Sequence, residues 1–120
     1  MGSNFPPGAH TVASSSWSAL GLTGAVAPVV IQRILTPGMY SVECLLHIVS
    51  TDGQGSLAPV CSPPHRNPIS FTPTLATPVD GIFGAQDFWA NAGDEVTLQV
   101  TATGIVNTTY NLHIAFQQLL

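Results

Sequence analysis

Hydrophobic and polar residues alternate along several short stretches of this chain, most clearly near its C-terminus. There the large apolar residues fall on one face, and they are Tyr110, Leu112, Ile114 and Phe116. Two earlier stretches, residues 39–50 and 95–102, alternate in the same way. A period of two places successive side chains on opposite faces of a β-strand. We therefore predict three strands, each with one face buried in a core.

Glycine and proline separate these strands and limit the others. Thr36-Pro37-Gly38 and Asn91-Ala92-Gly93-Asp94 are turn sequences in front of two of the strands. A further clear strand is predicted at residues 26–35 and weaker ones at 69–75 and 82–89, and the rest of residues 54–80 is predicted to be irregular. Because no stretch shows a sustained helical period, the chain is predicted to be all-β, an antiparallel sandwich or closed barrel.

The chain divides into an N-terminal arm and one domain. Residues 1–20 contain two prolines and a run of three serines, and they show no lasting periodicity. We predict that they form a flexible arm, with Phe5 and Trp17 as apolar anchors. Residues 21–120 are predicted to form a single β-sandwich domain, because 120 residues suffice for one modest core.

Charged residues are scarce. The 120 residues include two Arg, six Asp or Glu and no Lys, whereas an ordinary soluble domain is about a quarter charged. A small domain normally covers its large surface with mixed charge. We infer that part of this surface is buried against other copies of the chain or against a larger assembly. The net charge of −4 argues against nucleic acid as a partner, since two Arg cannot form a basic patch.

The sequence carries no evident membrane or secretion signal. The best apolar stretch, residues 25–35, is interrupted by a proline, a glutamine and an arginine, so no membrane span is predicted. The first ten residues lack the basic region and apolar core of a secretory signal, so we expect synthesis in a cytoplasm. In that compartment Cys44 and Cys61 are expected to be free thiols, Cys44 in the core and Cys61 in a proline-rich loop.

The pattern of polar residues does not predict catalysis or metal binding. The four histidines are His10, His47, His65 and His113, and they form no His-x-His pair. His47 and His113 would meet only if their strands are neighbours, and a packing or interface role is expected for both. Asp94 and Glu95 are adjacent on a strand and therefore point to opposite faces, so Asp94 is expected to cap its turn. With no Gly-x-Ser-x-Gly nucleophile pattern either, we expect no enzyme, no catalytic residue, no metal and no cofactor.

Two further features are candidates for ligand binding. His65 and Arg66 lie in the sequence Pro-Pro-His-Arg-Asn-Pro, which is either an exposed binding loop or a plain loop. Trp17, Phe88 and Trp89 are candidates for a carbohydrate platform, although at least one Trp is expected in the core of so small a domain.

Three sequence stretches, taken in order, resemble a known family. They are Thr36-Pro37-Gly38-Met39-Tyr40-Ser41-Val42, Phe88-Trp89-Ala90-Asn91-Ala92-Gly93-Asp94-Glu95-Val96-Thr97-Leu98 and Tyr110-Asn111-Leu112-His113-Ile114-Ala115-Phe116. In this order they resemble the compact jelly roll of the C1q and tumour-necrosis-factor type, and more specifically small modules of that type in bacteriophage virion proteins. The resemblance covers residues 25–120 and rests on turn-and-strand signals.

The resemblance implies a homotrimer and a structural or binding role. Family members act as capsid decoration proteins, fibre tips or receptor ligands, and the scarcity of charge fits burial by assembly. The leading hypothesis is a trimeric virion protein that docks on the major capsid protein and stabilises the shell. The alternative is the receptor- or glycan-binding head of a phage fibre. Phe5 and Trp17 of the arm are the predicted docking residues.

The resemblance also predicts the trimer interface. It implies that residues 39–50, 95–102 and 110–117 share one sheet, with the apolar rows toward the core. The opposite row is too apolar to face water and is predicted to line the three-fold axis. That row consists of Leu45, His47, Val49, His113, Ala115, Gln117 and Leu119.

Overall fold

Two antiparallel sheets of four strands each form the protein. The computed structural model describes residues 13–70, 72–75 and 79–119, and within these ranges it contains no helix. The strands are β1 Ala13–Leu22, β2 Val26–Arg33, β3 Gly38–Ser50, β4 Ser56–Ser62, β5 Ile69–Ser70, β6 Val79–Ala90, β7 Glu95–Thr103 and β8 Thr109–Gln118. Sheet 1 has the order β1-β8-β3-β6 and sheet 2 the order β2-β7-β4-β5. The predicted all-β sandwich is confirmed.

The strand order is that of a jelly roll. Every connection except the one between β4 and β5 leads from one sheet to the other. The prediction that residues 95–102 share a sheet with residues 39–50 and 110–117 is wrong in one respect. β3 and β8 are neighbours in sheet 1, but β7 lies in sheet 2. Alternation shows which face of a strand is buried. Both sheets bury an apolar face, so strands of either sheet show the same alternation. The pattern therefore does not tell to which sheet a strand belongs.

The three predicted apolar rows meet in the core between the sheets. The buried positions of these rows are Tyr40, Val42, Leu46, Ile48, Val96, Leu98, Val100, Tyr110, Leu112, Ile114 and Phe116. Tyr40 stacks on Phe88 with ring centroids 5.7 Å apart. The buried phenols keep a hydrogen-bond partner, since the Tyr110 hydroxyl donates to the carbonyl of Gly24 and the Tyr40 hydroxyl to that of Thr36, both at 2.5 Å. Burial raises the pKa of Tyr110 to about 12.

Residues 13–20 differ from the predicted arm, because they form most of β1 at one edge of sheet 1. Trp17 is half-buried and packs against the core, which explains why a stretch of serines is held there. Trp17 is therefore an anchor of the strand to its own domain. Phe5 and the rest of residues 1–12 lie outside the described residues.

β4 is the other strand that the sequence analysis assigns to an irregular stretch. It holds Leu57, Pro59 and Cys61 in the core, all buried, within a run rich in proline. A proline inside a strand normally argues against the assignment. Here β5 pairs only with Val60 and Cys61, whereas β7 pairs with the whole of β4. Pro59 therefore has a described neighbouring strand on one side only, which is where a strand tolerates a proline.

Both cysteines are free and buried. Cys44 lies in the core as predicted, whereas Cys61 lies in β4 and not in a loop. Burial raises the pKa of each thiol to about 12. Among the described residues, no helix is long and apolar enough to cross a membrane.

Candidate functional site: the outer face of sheet 1

The residues predicted for the trimer interface do share one surface, the outer face of sheet 1. The β3–β8 register pairs Leu45 with His113, His47 with Asn111 and Ser41 with Gln117. Beyond the end of the ladder, the Leu119 amide donates to the carbonyl of Met39 at 2.7 Å. Whether this face binds another copy stays a prediction, and its residues fall into two separate groups.

The first group is an apolar area that we name the Leu45 patch, formed by Leu20, Leu45, His47, Val49 and His113. Leu20, Leu45 and Val49 are 76%, 40% and 44% exposed. His113 is held in place by Ser18 of β1, whose Oγ lies 2.8 Å from Nδ1. The patch thus spans three neighbouring strands, β1, β8 and β3.

Polar residues occupy the middle of the face. Ser41, Glu43, Ala115 and Gln117 surround a shallow depression of about 70 Å³. Glu43 pairs with Ala115 in the register and is exposed. This polar strip separates the Leu45 patch from the end of the sheet where β3 begins.

The second group lies at that end, around an exposed tryptophan. We name it the Trp89 patch, and it consists of Trp89, Asn91, Asp94, His65 and Arg66. Trp89 pairs with Met39 and is 49% exposed. Its Nε1 donates to Oδ1 of Asn91 at 3.3 Å. Met39 and Leu45 are six positions apart on β3, so the two patches are about 20 Å apart along the strand.

Asp94 organises the polar side of the Trp89 patch. Its Oδ2 accepts the backbone N–H of Asn91 at 2.8 Å, so Asp94 caps the β6–β7 turn as predicted. The same oxygen lies 2.9 Å from Nε2 of His65, which comes from the β4–β5 loop. These two contacts, with the Asn91 hydrogen bond the larger cause, hold the pKa of Asp94 below its usual value.

His65 and Asp94 belong to separate sequence signals, and the structure brings them together. The two residues are 29 positions apart, and they meet because β4 and β7 pair in sheet 2 while both adjoining loops lie at one end. The loop signal at His65 and the turn signal at Asp94 were visible in the sequence. Their contact was not, because it depends on the strand order.

The histidines do not assemble a metal site in the part of the chain that the structure describes. No group of three His, Cys, Asp or Glu side chains comes close enough there to hold an ion. His47 and His113 do lie on neighbouring strands, one register step apart diagonally. His10 lies outside the described residues.

A crevice of about 220 Å³ opens between β1 and β2, the two strands at the same side of the sandwich. Tyr40 and Phe116 form its floor, and Ser15 and Gln32 bridge it through a hydrogen bond of 2.7 Å. Arg33 at its rim pairs with Glu95 at 2.6 Å in an exposed ion pair. Such pairs contribute little to stability.

The strand order defines the molecule as a jelly-roll β-sandwich, and comparison with known proteins finds likeness in structure alone. No protein-family model and no curated protein sequence matches the chain. The fold is similar to that of the tumour necrosis factor Eiger from S. frugiperda, with 11% identity, a TM-score of 0.44, and 89% of this chain and 93% of that chain covered. It is also similar to a protein of the disulfide-linked pili that form Bacillus endospore appendages, with 15% identity, a TM-score of 0.41, and coverage of 98% and 97%.

Proposed function

We propose that the protein is a structural, self-associating domain that acts as a homotrimer through the Leu45 patch. The observation that supports this most directly is the exposure of three large apolar side chains, Leu20, Leu45 and Val49, on one sheet face. The chain has only eight charged residues to keep such a surface soluble. Burial of the patch against other copies removes that apolar surface from water.

The geometry of the patch suits a symmetric contact. His113 and Leu45 sit side by side on β8 and β3, the two central strands of sheet 1, so the contact is built on rigid elements. Among the described residues, no arginine side chain lies at the centre of the patch. The two arginines of the chain lie on β2 and in the β4–β5 loop, bonded to Glu95 and to the carbonyl of Asp87.

We further propose that the trimer decorates a virion by docking on its major capsid protein. The scarcity of charge over the whole chain supports this, because a surface with few charges suits life inside a large assembly. The N-terminal residues, with Phe5 as an apolar anchor, are proposed as the docking segment. Three such segments on one trimer multiply the affinity for a shell. The protein is thus proposed to be made in the host cytoplasm and to end in the particle.

The second candidate function is the receptor- or glycan-binding head of a fibre. The exposure of Trp89 beside a fixed set of polar groups favours it. The two functions differ in the number of copies that a particle carries. A shell needs very many trimers, whereas fibre tips need few.

Two measurements test the proposal. Light scattering of the purified chain at micromolar concentration is expected to give the mass of a trimer, and a monomer would contradict self-association. Quantitative mass spectrometry of purified virions is expected to find this chain in numbers comparable to the capsid subunit. A few copies per particle would favour the fibre head, and absence from virions would refute both functions.

A further inference from the structure

Trp89 is a flat apolar surface that the domain leaves open to solvent. It lies on β6, one of the two edge strands of sheet 1, and the residue is 49% exposed. The neighbouring ring of Phe88 is buried against Tyr40, so Phe88 faces the core and Trp89 faces the solvent. The hydrogen bond from Nε1 to Asn91 restrains the ring, and about half of the residue stays open to solvent. A fixed, exposed indole loses little entropy when it binds a ligand.

The polar groups beside this indole are held by one another. Asn91 accepts from Trp89 through Oδ1, and its Nδ2 lies 3.4 Å from Nε2 of His65. His65 in turn contacts Asp94 at 2.9 Å, and Asp94 accepts from the backbone of Asn91. The four residues form one connected set, in which Trp89 comes from β6 and the other three come from two loops. Donors and acceptors are both present in it, within reach of a single small ligand.

The loop that supplies His65 holds this residue in an uncommon backbone conformation. His65 has a φ of 61°, in the left-handed region that non-glycine residues rarely adopt. Prolines at 63, 64 and 68 restrict the rest of the loop. Strain of this kind concentrates where a side chain must be presented in one orientation. In this loop it presents His65 to Asp94 and places Arg66 next to β6.

Arg66 adds a directed cation to the patch. Its Nη1 donates to the backbone carbonyl of Asp87, two residues before Trp89, at 2.6 Å. A guanidinium carries five N–H donors, so one bond to a carbonyl does not exhaust it. Arg66 is one of only two arginines in the chain, and its bond to β6 is two residues along the strand from the exposed tryptophan.

We propose that the Trp89 patch is a saccharide-binding site that takes a neutral pyranoside. The C–H face of a pyranose ring stacks on the indole of Trp89, and its hydroxyl groups exchange hydrogen bonds with Asn91, His65 and Arg66. A pyranose is the ligand class that matches both halves of the patch, since it has one apolar face and a polar edge of donors and acceptors. The shallow site implies weak binding by one copy, strengthened in an assembly that presents several copies.

The site deepens the second candidate function, and it is independent of the trimer contact. All of its residues belong to one chain, and the polar strip around Glu43 and Gln117 separates it from Leu45. A decoration protein and a fibre head would each be able to use it to hold a particle near a glycan-coated surface. The test of this site must therefore measure saccharide binding in a variant that does not form trimers as well.

Titration followed by NMR and by tryptophan fluorescence tests the site. The probes are methyl β-D-galactopyranoside, methyl β-D-glucopyranoside, methyl α-D-mannopyranoside and, as the anionic comparison, sialyllactose. In a Trp17→Phe background Trp89 is the only indole, so its emission reports on the patch alone. At least one neutral pyranoside is expected to change this emission and the amide signals of residues 89–94 at millimolar concentration. No response to any probe at tens of millimolar would overturn the proposal.

Substitutions in the patch show whether saccharide binding depends on stacking on Trp89 or only on a stable loop. Trp89→Ala is expected to weaken binding roughly tenfold or more, whereas Trp89→Phe retains part of it. Asn91→Ala and Arg66→Ala are expected to weaken it about two- to tenfold each, as for single hydrogen bonds. Binding that is unchanged in Trp89→Ala, or that selects sialyllactose alone, would contradict the proposal.

A Leu45→Asp variant keeps the two proposals distinguishable. It is expected to bind the same pyranoside with the same single-site affinity, because residue 45 lies outside the site. Binding that survives in a monomer leaves the saccharide site standing even if self-association fails. Binding that disappears with the trimer would show that one chain does not form the site, which would overturn it.

Discussion

The two patches on the outer face of sheet 1 differ in how their exposed apolar groups are surrounded. Around Leu45 the neighbours are further aliphatic residues and two histidines on the central strands. Around Trp89 they are a carboxylate, an amide, an imidazole and a guanidinium that loops bring to the edge strand. A broad apolar area on rigid strands suits another protein surface, whereas one aromatic ring among fixed polar groups suits a small polar ligand. Exposure of an apolar residue is therefore informative only together with its neighbours.

The largest expected effect comes from a charge placed in the Leu45 patch. Leu45→Asp buries three carboxylates at the proposed three-fold contact, and neither arginine of the chain is close enough to pair with them. We expect loss of the trimer at micromolar concentration by light scattering, with little change in the melting temperature of the monomer. Leu35→Asp is the matched control, since Leu35 is 80% exposed in the loop between β2 and β3. A Leu45→Asp protein that remains trimeric would refute the assignment of this face.

The next effect concerns the N-terminal residues. Because residues 13–22 form β1 and Trp17 packs on the core, a deletion that tests docking must stop before Ala13. Removal of residues 2–12 is expected to leave the trimer intact and to abolish retention on particles in co-sedimentation. Full occupancy by the truncated chain would contradict the docking role, and Phe5→Ala in the full chain tests the apolar anchor by itself.

The position at which the deletion must stop depends on β1, a strand that the sequence pattern did not predict. The strands of residues 39–50, 95–102 and 110–117 were predicted because each alternates cleanly, and their buried rows are as expected. β1 and β4 were not predicted, because serines in β1 and prolines in and after β4 obscure the alternation of apolar and polar residues. Trp17 and Pro59 occupy their core positions through tertiary packing, which no local pattern encodes.

The candidate sites divide in the same way. Leu45 and His113 were placed on one face from alternation and from the resemblance, and the register confirms that they are neighbours. The contact of His65 with Asp94 depends on two loops meeting at one end of the sandwich, so it required the strand order.

A smaller effect is expected from Trp89→Ala on assembly. Trp89 lies about 20 Å from Leu45 along the sheet, and sites so far apart act independently. The variant is expected to remain trimeric by light scattering while its saccharide binding falls. Dissociation of Trp89→Ala into monomers would show that the two patches form one interface and are not separate sites.

The smallest effect is the pH dependence of the Trp89 patch. The pKa of Asp94 is lowered in the folded state, so its contribution to stability is present above pH about 4 and is lost as the pH falls through the lowered value. We expect a melting temperature that declines slightly more below pH 4 than in Asp94→Asn, measured by circular dichroism. Equal acid sensitivity of the two proteins would show that the Asp94 contacts do not stabilise the fold.

The two buried thiols have a consequence for where the protein can operate. With a pKa of about 12, Cys44 and Cys61 carry a thiolate fraction of only about one in ten thousand at pH 8. Thiolate is the form that attacks disulfides and reacts with oxidants, and burial in the core keeps both reagents from the sulfur atoms. The two thiols of the folded domain are therefore expected to stay reduced in an oxidising solution, so the fold does not depend on the redox state of its surroundings.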